Sequence, residues 1–268
     1  MRPKDKMNKH MPPGKVFLVG AGPGDPGLLT LKAYTLLKNC DIVIYDALLS
    51  EEIIKFIPDE IEKVFIGKSR HQSRMSQSEV EQMMVDRANE GKTVVRLKGG
   101  DPFMFGRGGE EAETLTKAGI YWEVVPGVSS GIAAPAYAGI PTTHRDCASS
   151  VTFITGHDAS NKPKVEWKEI RKNFNTLVIY MGITHIRENV QQLLESNYEP
   201  ETPVAIIESG TTPKQRVRTS TLGTINDMVD ADPVETPALI VIGDVVRYRE
   251  KLKPFLSISP LDMSDFEG

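Results

Sequence analysis

The chain is 268 residues long, 40% hydrophobic and 25% charged, with a formal net charge of −4. This is the composition of an ordinary globular protein of one large or two moderate domains, and it gives no overall electrostatic case for nucleic acid, although local basic clusters can still hold an acidic small molecule. Cys40 and Cys147 lack the spacing of a zinc site or disulfide framework, no apolar run reaches the roughly 18 residues of a membrane span, and the basic start of the chain lacks the apolar segment of a secretory signal, so a cytoplasmic protein is expected.

Taken in chain order, Val16-Phe17-Leu18-Val19 predicts a first strand that runs straight into GAGPGDPG. Residues 28–37, LLTLKAYTLL, predict a helix of good formers with leucines at helical spacing. Residues 42–45 predict a second strand ending at Asp46, residues 51–56 a short helix stopped by Pro58, and residues 64–66 a third strand ending at Gly67-Lys68. Ser76 and Glu79 form a capping box for a helix that runs to about Asn89 and is closed by Gly91. Residues 93–97 predict a fourth strand, residues 110–117 a helix, and residues 122–125 a fifth strand before Pro126-Gly127. Five strands alternating with helices imply a parallel sheet covered on both faces. Residues 129–137 then predict a small-residue helix suited to close packing, followed by an irregular polar stretch at 140–146. Further strands are expected at 151–155, 177–181, 204–207 and 239–242, with helical stretches at 167–172, 186–195 and 225–229. The expected architecture is two α/β domains with mainly parallel central sheets, at 15–127 and 148–248, joined by a helix and loop at 128–147 and flanked by loosely ordered tails at 1–14 and 254–268.

In open parallel sheets, ligands bind beyond the carboxyl ends of the strands. Those ends here carry glycines, acids and hydroxyls: residues 20–27, Asp46, Gly67-Lys68, 99–101, 126–130, Gly156-His157, Met181-Gly182, 208–211 and Gly243-Asp244. The richest is RLKGGDPFMFGRGGEE, residues 96–111. Gly99-Gly100 removes two side chains at a strand end, Asp101 places a carboxylate there, and Phe103, Met104 and Phe105 put three large apolar groups into the loop before Arg107. Apolar groups of this size are usually buried, so the loop either folds over a flat ligand or packs into a cleft. The first loop departs from the GxGxxG dinucleotide fingerprint: Asp25 stands where the last glycine is required, and Pro23 and Pro26 lack the N–H groups a pyrophosphate would use. No GxxxxGK[ST] phosphate loop occurs.

GAGPGDPGLLTLKA, YDALLS, RLKGGDPFMFGRGGEE, VVPGVSSGIAAPAYAGIPTTHRD and SVTFITGH closely resemble the tetrapyrrole methylases, and the second-half pieces LVIYMG, PVAIIESGTTPKQRV and PALIVIGDVV fit in the same order. GAGPGDP is shared across those methylases, whereas RLKGGDPFMFGRGGEE with AYAGIPTTHRD is similar to the members that act on uroporphyrinogen III. The resemblance implies a homodimer of two-domain chains with S-adenosylmethionine in the interdomain cleft. It also implies methylation of uroporphyrinogen III at positions 2 and 7, through precorrin-1 to precorrin-2, for sirohaem or cobalamin biosynthesis. S-adenosylhomocysteine would be the product, with no metal and neither nucleic acid nor membrane as a partner. Two other readings stand beside it: a sister methylase acting on a later corrin precursor, and a non-catalytic sensor of the cofactor.

By the same resemblance, the cofactor contacts map to Pro23, Gly99, Gly100, Asp101, Met104, Ser129, Ser130, Met181, Gly210 and Ala238. On their own chemistry, the paired glycines admit a close backbone approach, Asp101 offers acceptors for hydroxyls or an ammonium, and Met104 and Met181 offer polarizable apolar surface. Asp46 and Lys68 map to the family's proton acceptor and donor; Asp46 alternatively caps the next helix, and Lys68 alternatively pairs with a substrate carboxylate. A substrate with eight carboxylates calls for arginines, and the candidates are Arg70, Arg96, Arg107 and Arg145, with Arg74, His71 and His144 nearby. One departure from the family lies after Lys68, where Ser69-Arg70-His71-Gln72-Ser73 replaces the usual arginine and glycine–histidine–serine run.

Overall fold

In this computed structural model the described residues are 14–67, 75–156, 165–170 and 175–253. Lys68, Arg70, His71, Arg74, His157 and the expected tails, apart from Gly14, fall outside them. The chain divides into two compact units. One comprises the chain up to Ala21 together with Leu29–Gly127; the other comprises Gly22–Leu28 and the chain from Val128 onward. The helix expected to join two domains and most of the GAGPGDPG loop thus lie in the second unit.

In the first unit, β1 (Lys15–Gly20), β2 (Ile42–Tyr45), β3 (Glu62–Phe65), β4 (Thr93–Lys98) and β5 (Tyr121–Val125) form one sheet in the order β3-β2-β4-β1-β5. Every pairing is parallel, as the alternation of strands and helices predicts. The strands bury both faces. Phe17, Val19, Val43, Val95 and Leu97 pack under α1 (Leu31–Asn39) and α2 (Glu51–Ile54), while Val16, Leu18, Ile42, Ile44 and Val94 pack under α3 (Gln77–Asn89) and α4 (Gly108–Lys117). This partition follows from right-handed crossovers. The connections after β1 and β2 run one way along the sheet and those after β3 and β4 the other, so β4 lies between two strands, β2 and β1, whose connections run opposite to its own. The crevice that such a reversal opens lies at their carboxyl ends.

Helix starts follow the side chains that cap them. Ser76 and Glu79 form the expected capping box on α3. The helix expected from residue 28 begins only at Leu31, because Thr30 accepts from the Ala33 N–H and Pro26–Leu28 forms a separate 3-10 turn. Ser50 caps α2 by accepting from Ile53, and that helix ends at Ile54, short of the expected residue 56.

The second unit contains α5 (Ser130–Tyr137), β6 (Val151–Thr155), β7 (Thr176–Tyr180), α6 (Ile186–Glu195), β8 (Pro203–Glu208), β9 (Arg216–Thr221), α7 (Ile225–Ala231), β10 (Ala238–Ile242) and α8 (Tyr248–Leu252). The helical stretch expected at 167–172 is a 3-10 turn at Trp167–Glu169, its last residues lying outside the described set. The sheet order is β6-β7-β10-β8-β9. Only β6 and β7 pair in parallel; the other three pairings are antiparallel. The expected mainly parallel second sheet is therefore mixed. Residues 209–215 between β8 and β9 are too few for a parallel crossover of about a dozen residues, so a hairpin forms.

The ends of β1, β4 and β5 meet through glycine. A Cβ on Gly127 would lie 2.3 Å from the Gly100 carbonyl oxygen and 2.8 Å from the Gly20 carbonyl carbon, and one on Gly20 would lie 2.5 Å from the Gly127 nitrogen. Gly127→Ala is expected to destabilise the protein by about 2–3 kcal/mol through overpacking. Gly109→Ala, whose Cβ meets nothing within 4 Å, is expected to be neutral or to stabilise α4 by up to about 1 kcal/mol. An unchanged urea midpoint for Gly127→Ala would show that the strand ends are not in backbone contact.

Candidate active site

The loop after β4 is held by its own carboxylate. Asp101 Oδ1 accepts from the N–H groups of Phe103 (2.9 Å) and Met104 (3.2 Å), and Oδ2 accepts from Gly127 N–H (3.1 Å). The expected role of Asp101 as an acceptor for ligand groups is thus largely taken by backbone: it lashes the β4 loop to the end of β5. Phe105 (φ 54°) and Arg107 (φ 61°) adopt left-handed conformations in the same loop. Phe103 and Phe105 stand 50% and 39% exposed, and so supply uncovered apolar surface rather than a core plug. Arg107 is exposed at the start of α4 and pairs with Glu110.

Asp46 ends β2. Its Oδ1 accepts from Leu48 N–H (3.1 Å) in a local turn, and the helix that follows is capped by Ser50, so capping α2 is not the task of Asp46. Its Oδ2 faces Arg96 Nη2 at 3.3 Å. Arg96, expected among the partners of substrate carboxylates, is instead buried on the α3/α4 face of β4. Its Nε donates to Glu111 Oε1 (3.1 Å) and its Nη1 to the carbonyls of Leu97 (3.0 Å) and Ile44 (3.4 Å). Strand periodicity explains this: Arg96 and Lys98 share the face of Val94, which is core. Lys98 Nζ lies 2.9 Å from Glu111 Oε2, and Gln77 Nε2 donates to Oε1 at 3.2 Å. Desolvation above all, then the neighbouring Arg96 charge, push the Lys98 ammonium below its ordinary range, while Glu111 pulls the other way.

In the second unit, Tyr180 at the end of β7 anchors the start of α5. Its hydroxyl accepts from Gly131 N–H (2.8 Å) and bonds the Ser129 hydroxyl (2.7 Å). Met181 follows at φ 53° and is 53% exposed. Segment Gly22–Leu28, α5 and the loop after β8 form a single network. Tyr137 Oη donates to Asp25 Oδ2 (2.7 Å), Asp25 N–H to Thr211 Oγ1 (3.2 Å), Thr211 N–H to Gln215 Oε1 (2.7 Å), and Gln215 Nε2 to the Tyr137 carbonyl (3.1 Å). A Cβ on Gly210 would lie 2.5 Å from that of Ala134, so this glycine lets the β8 loop settle on α5. Ala238 pairs with Glu208 across the sheet, beside the same loop.

The structure thus gathers Gly99, Gly100, Asp101 and Met104 in one loop and links Asp46 to the neighbouring strand through Arg96. It gathers the loop bearing Pro23 with Gly210 and α5, whose start carries Ser129 and Ser130. Arg145 lies exposed in the loop after α5. Sequence reasoning missed Lys98, Glu111, Asp25, Tyr137, Tyr180, Thr211 and Gln215. For Lys98 a signal existed: a charge two residues beyond Arg96 on a core-facing strand register.

A doubly wound unit with a glycine–acid loop at its switch point, followed by a mixed-sheet unit with strained strand-end loops, defines a two-unit α/β class that takes small molecules at its strand ends. Comparison with known proteins makes this specific. The chain belongs to the Tetrapyrrole (Corrin/Porphyrin) Methylases, whose family profile matches residues 15–226. A uroporphyrinogen-III C-methyltransferase from Synechocystis sp. is 49% identical over 249 residues, covering 91% of this chain and 95% of that protein. A siroheme synthase from Nitrosomonas europaea is 45% identical over 260 residues, covering 97% of this chain; the chain spans only 55% of that longer relative. Among solved structures, uroporphyrin-III C-methyl transferase from Thermus thermophilus complexed with S-adenyl homocysteine matches with a TM-score of 0.76 and 38% identity over 87% of this chain and 99% of that one.

The network around Asp25 has a measurable signature. Burial first, then the hydrogen bond to Asp25, push the Tyr137 phenol up from 10.0 to about 12. The folded protein keeps this proton where an unfolded chain releases it. The resulting stability is complete below about pH 10 and is lost as the pH rises towards 12. Tyr137→Phe is therefore expected to flatten the decline of stability across that window. Wild-type and variant curves that fall in parallel would mean the phenol is not engaged by Asp25.

Proposed function

We propose that this chain transfers methyl groups from S-adenosylmethionine to positions 2 and 7 of uroporphyrinogen III, giving precorrin-2 through precorrin-1, and that it acts as a cytoplasmic homodimer in sirohaem or cobalamin biosynthesis. The observation that carries the reading is the Asp101-bound glycine loop at the switch point, with the Asp46 carboxylate held at the adjacent strand end. The residues present fit the cofactor. Gly99-Gly100 leaves bare backbone at a strand end, while Met104, Met181 and the uncovered phenylalanines offer apolar surface suited to a purine ring. The proposed cofactor set is Pro23, Gly99, Gly100, Asp101, Met104, Ser129, Ser130, Met181, Gly210 and Ala238. Asp101 acts in it mainly by shaping its loop.

When bound, S-adenosylmethionine supplies an electrophilic methyl group on sulfur. The chain's own contribution is orientation of the acceptor carbon, a factor that reaches about 7–11 kcal/mol in well-positioned systems. Asp46 accepts the proton that the macrocycle loses after its carbon has been methylated, and Lys68 is assigned as the matching donor. Arg107 and Arg145, with Arg70, pair with substrate carboxylates; Arg96 leaves this set because its donors are engaged inside the fold.

Incubation with uroporphyrinogen III and methyl-labelled cofactor is expected to place two labels in each tetrapyrrole, and an unlabelled tetrapyrrole would sink the proposal. Asp101→Ala is expected to weaken S-adenosylhomocysteine binding by at least about ten-fold, read by calorimetry. Unchanged affinity would take the β4 loop out of the cofactor site. Added salt should weaken substrate binding, which rests on exposed charges, and spare cofactor binding. Equal sensitivity of the two would remove Arg107 and Arg145 from the substrate side.

A further inference from the structure

Four charged side chains of the first unit are joined in one chain of contacts: Asp46, Arg96, Glu111 and Lys98. Glu111 is 0% exposed, and Arg96 and Lys98 are each 4% exposed. Burying such a set is unfavourable, and apolar residues of the same size often stabilise a fold equally well or better, so stability alone is a poor account of it. The geometry points to another. The Arg96 guanidinium is fixed on three sides by Glu111 and two backbone carbonyls, which leaves Nη2 as the arm aimed at Asp46. Asp46 in turn takes one donor on each oxygen, Leu48 N–H on Oδ1 and Arg96 on Oδ2, which fixes the rotation of a carboxylate whose side chain is still 26% exposed.

We propose that Arg96 is a positioning residue for Asp46, with Glu111 and Lys98 as the buried base on which it is mounted. The proposal rests on the proton-acceptor role given to Asp46 above. Arg96 and Lys98 share the one buried carboxylate of Glu111, and the guanidinium arm that Glu111 and the carbonyls leave over reaches Asp46 Oδ2. Among the described residues Arg96 from β4 meets Asp46 directly, with Glu111 from α4 and Lys98 from β4 behind it. Lysine is no substitute for Arg96, because only a planar fork reaches Glu111, two carbonyls and Asp46 at once.

The test is a double-mutant cycle on the full chain, following kcat, KM for uroporphyrinogen III and S-adenosylhomocysteine affinity. Asp46→Asn is expected to lower kcat by about a hundred-fold, the scale of a lost general base. Arg96→Gln is expected to lower kcat by at least about ten-fold and to leave KM and cofactor affinity unchanged. In the Asp46→Asn background, Arg96→Gln should cost almost nothing further, because its effect runs through Asp46. Arg96→Lys, which keeps a cation in the core if the glutamine variant fails to fold, should not restore kcat, and its cycle with Asp46→Asn should close in the same way. An unchanged kcat in Asp46→Asn would remove the proton-acceptor role itself. A slow Asp46→Asn with Arg96 losses that multiply independently, or an Arg96 loss that falls on KM rather than kcat, would overturn the positioning role alone.

Discussion

Three strands of the first sheet end within van der Waals reach of one another's backbone, and the rest of the unit is built around that contact. Gly20, Gly100 and Gly127 close the ends of β1, β4 and β5, and a single methyl group on either Gly20 or Gly127 would collide with main chain. Flexible side chains at such a point could give way; backbone cannot. With no side chains present, Asp101 can bridge from the β4 loop to Gly127 N–H, and that bond fixes where the site loop leaves the sheet. Two of the chain's passages between its units also start from this edge, after Ala21 and after Gly127. One close-packed patch therefore sets the geometry of three loops.

Backbone strain also gathers at strand ends, in each unit taken by itself. Among the described residues, the non-glycine positions with positive φ are Phe105, Arg107, Met181, Asn197, Ser209 and Thr211. All but Asn197, which follows α6, lie in loops beyond β4, β7 and β8. Each such position costs on the order of 1–3 kcal/mol and persists only where its surroundings over-determine it. The restraints are visible. Asp101 takes two N–H groups of the β4 loop, and Gln215 and Asp25 hold Thr211 through its N–H and its hydroxyl. In each unit, then, strained backbone at the strand ends is held by hydrogen bonds from side chains of the same unit.

Most of the first unit was legible because doubly covered parallel strands write themselves as apolar runs, and because Ser76 and Glu79 announce a helix start chemically. Strand β9 was not legible: Arg216-Val217-Arg218-Thr219-Ser220-Thr221 is a polar edge strand with no apolar face to reveal it. Nor was the direction of β10, since its residues read the same whichever way its neighbours run. At the site, glycine, carboxylate and aromatic residues in one loop marked the place but not the partners. The sequence shows that Asp101 is an acceptor; it does not show that the donors are Phe103, Met104 and Gly127. Arg96 looked like a substrate contact because its counter-charge, Glu111, lies fifteen positions on in another element.

The strand ends of the first unit divide into two chemical halves. At β1, β4 and β5 the surface is glycine backbone, and the oxygens of Asp101 are occupied by N–H groups of Phe103, Met104 and Gly127. At β2, one strand away across β4, a carboxylate stands over a buried positive residue that is locked to its own counter-ion. β4 belongs to both halves, since Arg96 and Lys98 serve the charged one and Gly99 to Asp101 the neutral one. Methyl transfer asks for that division. A bound sulfonium donor needs orientation more than a counter-charge, whereas the carbon that accepts the methyl group must afterwards lose a proton, the step for which Asp46 is proposed. Because β4 carries both Arg96, which holds Asp46, and the Gly99–Asp101 loop, the spacing between the charged and the glycine-lined strand ends is set by backbone.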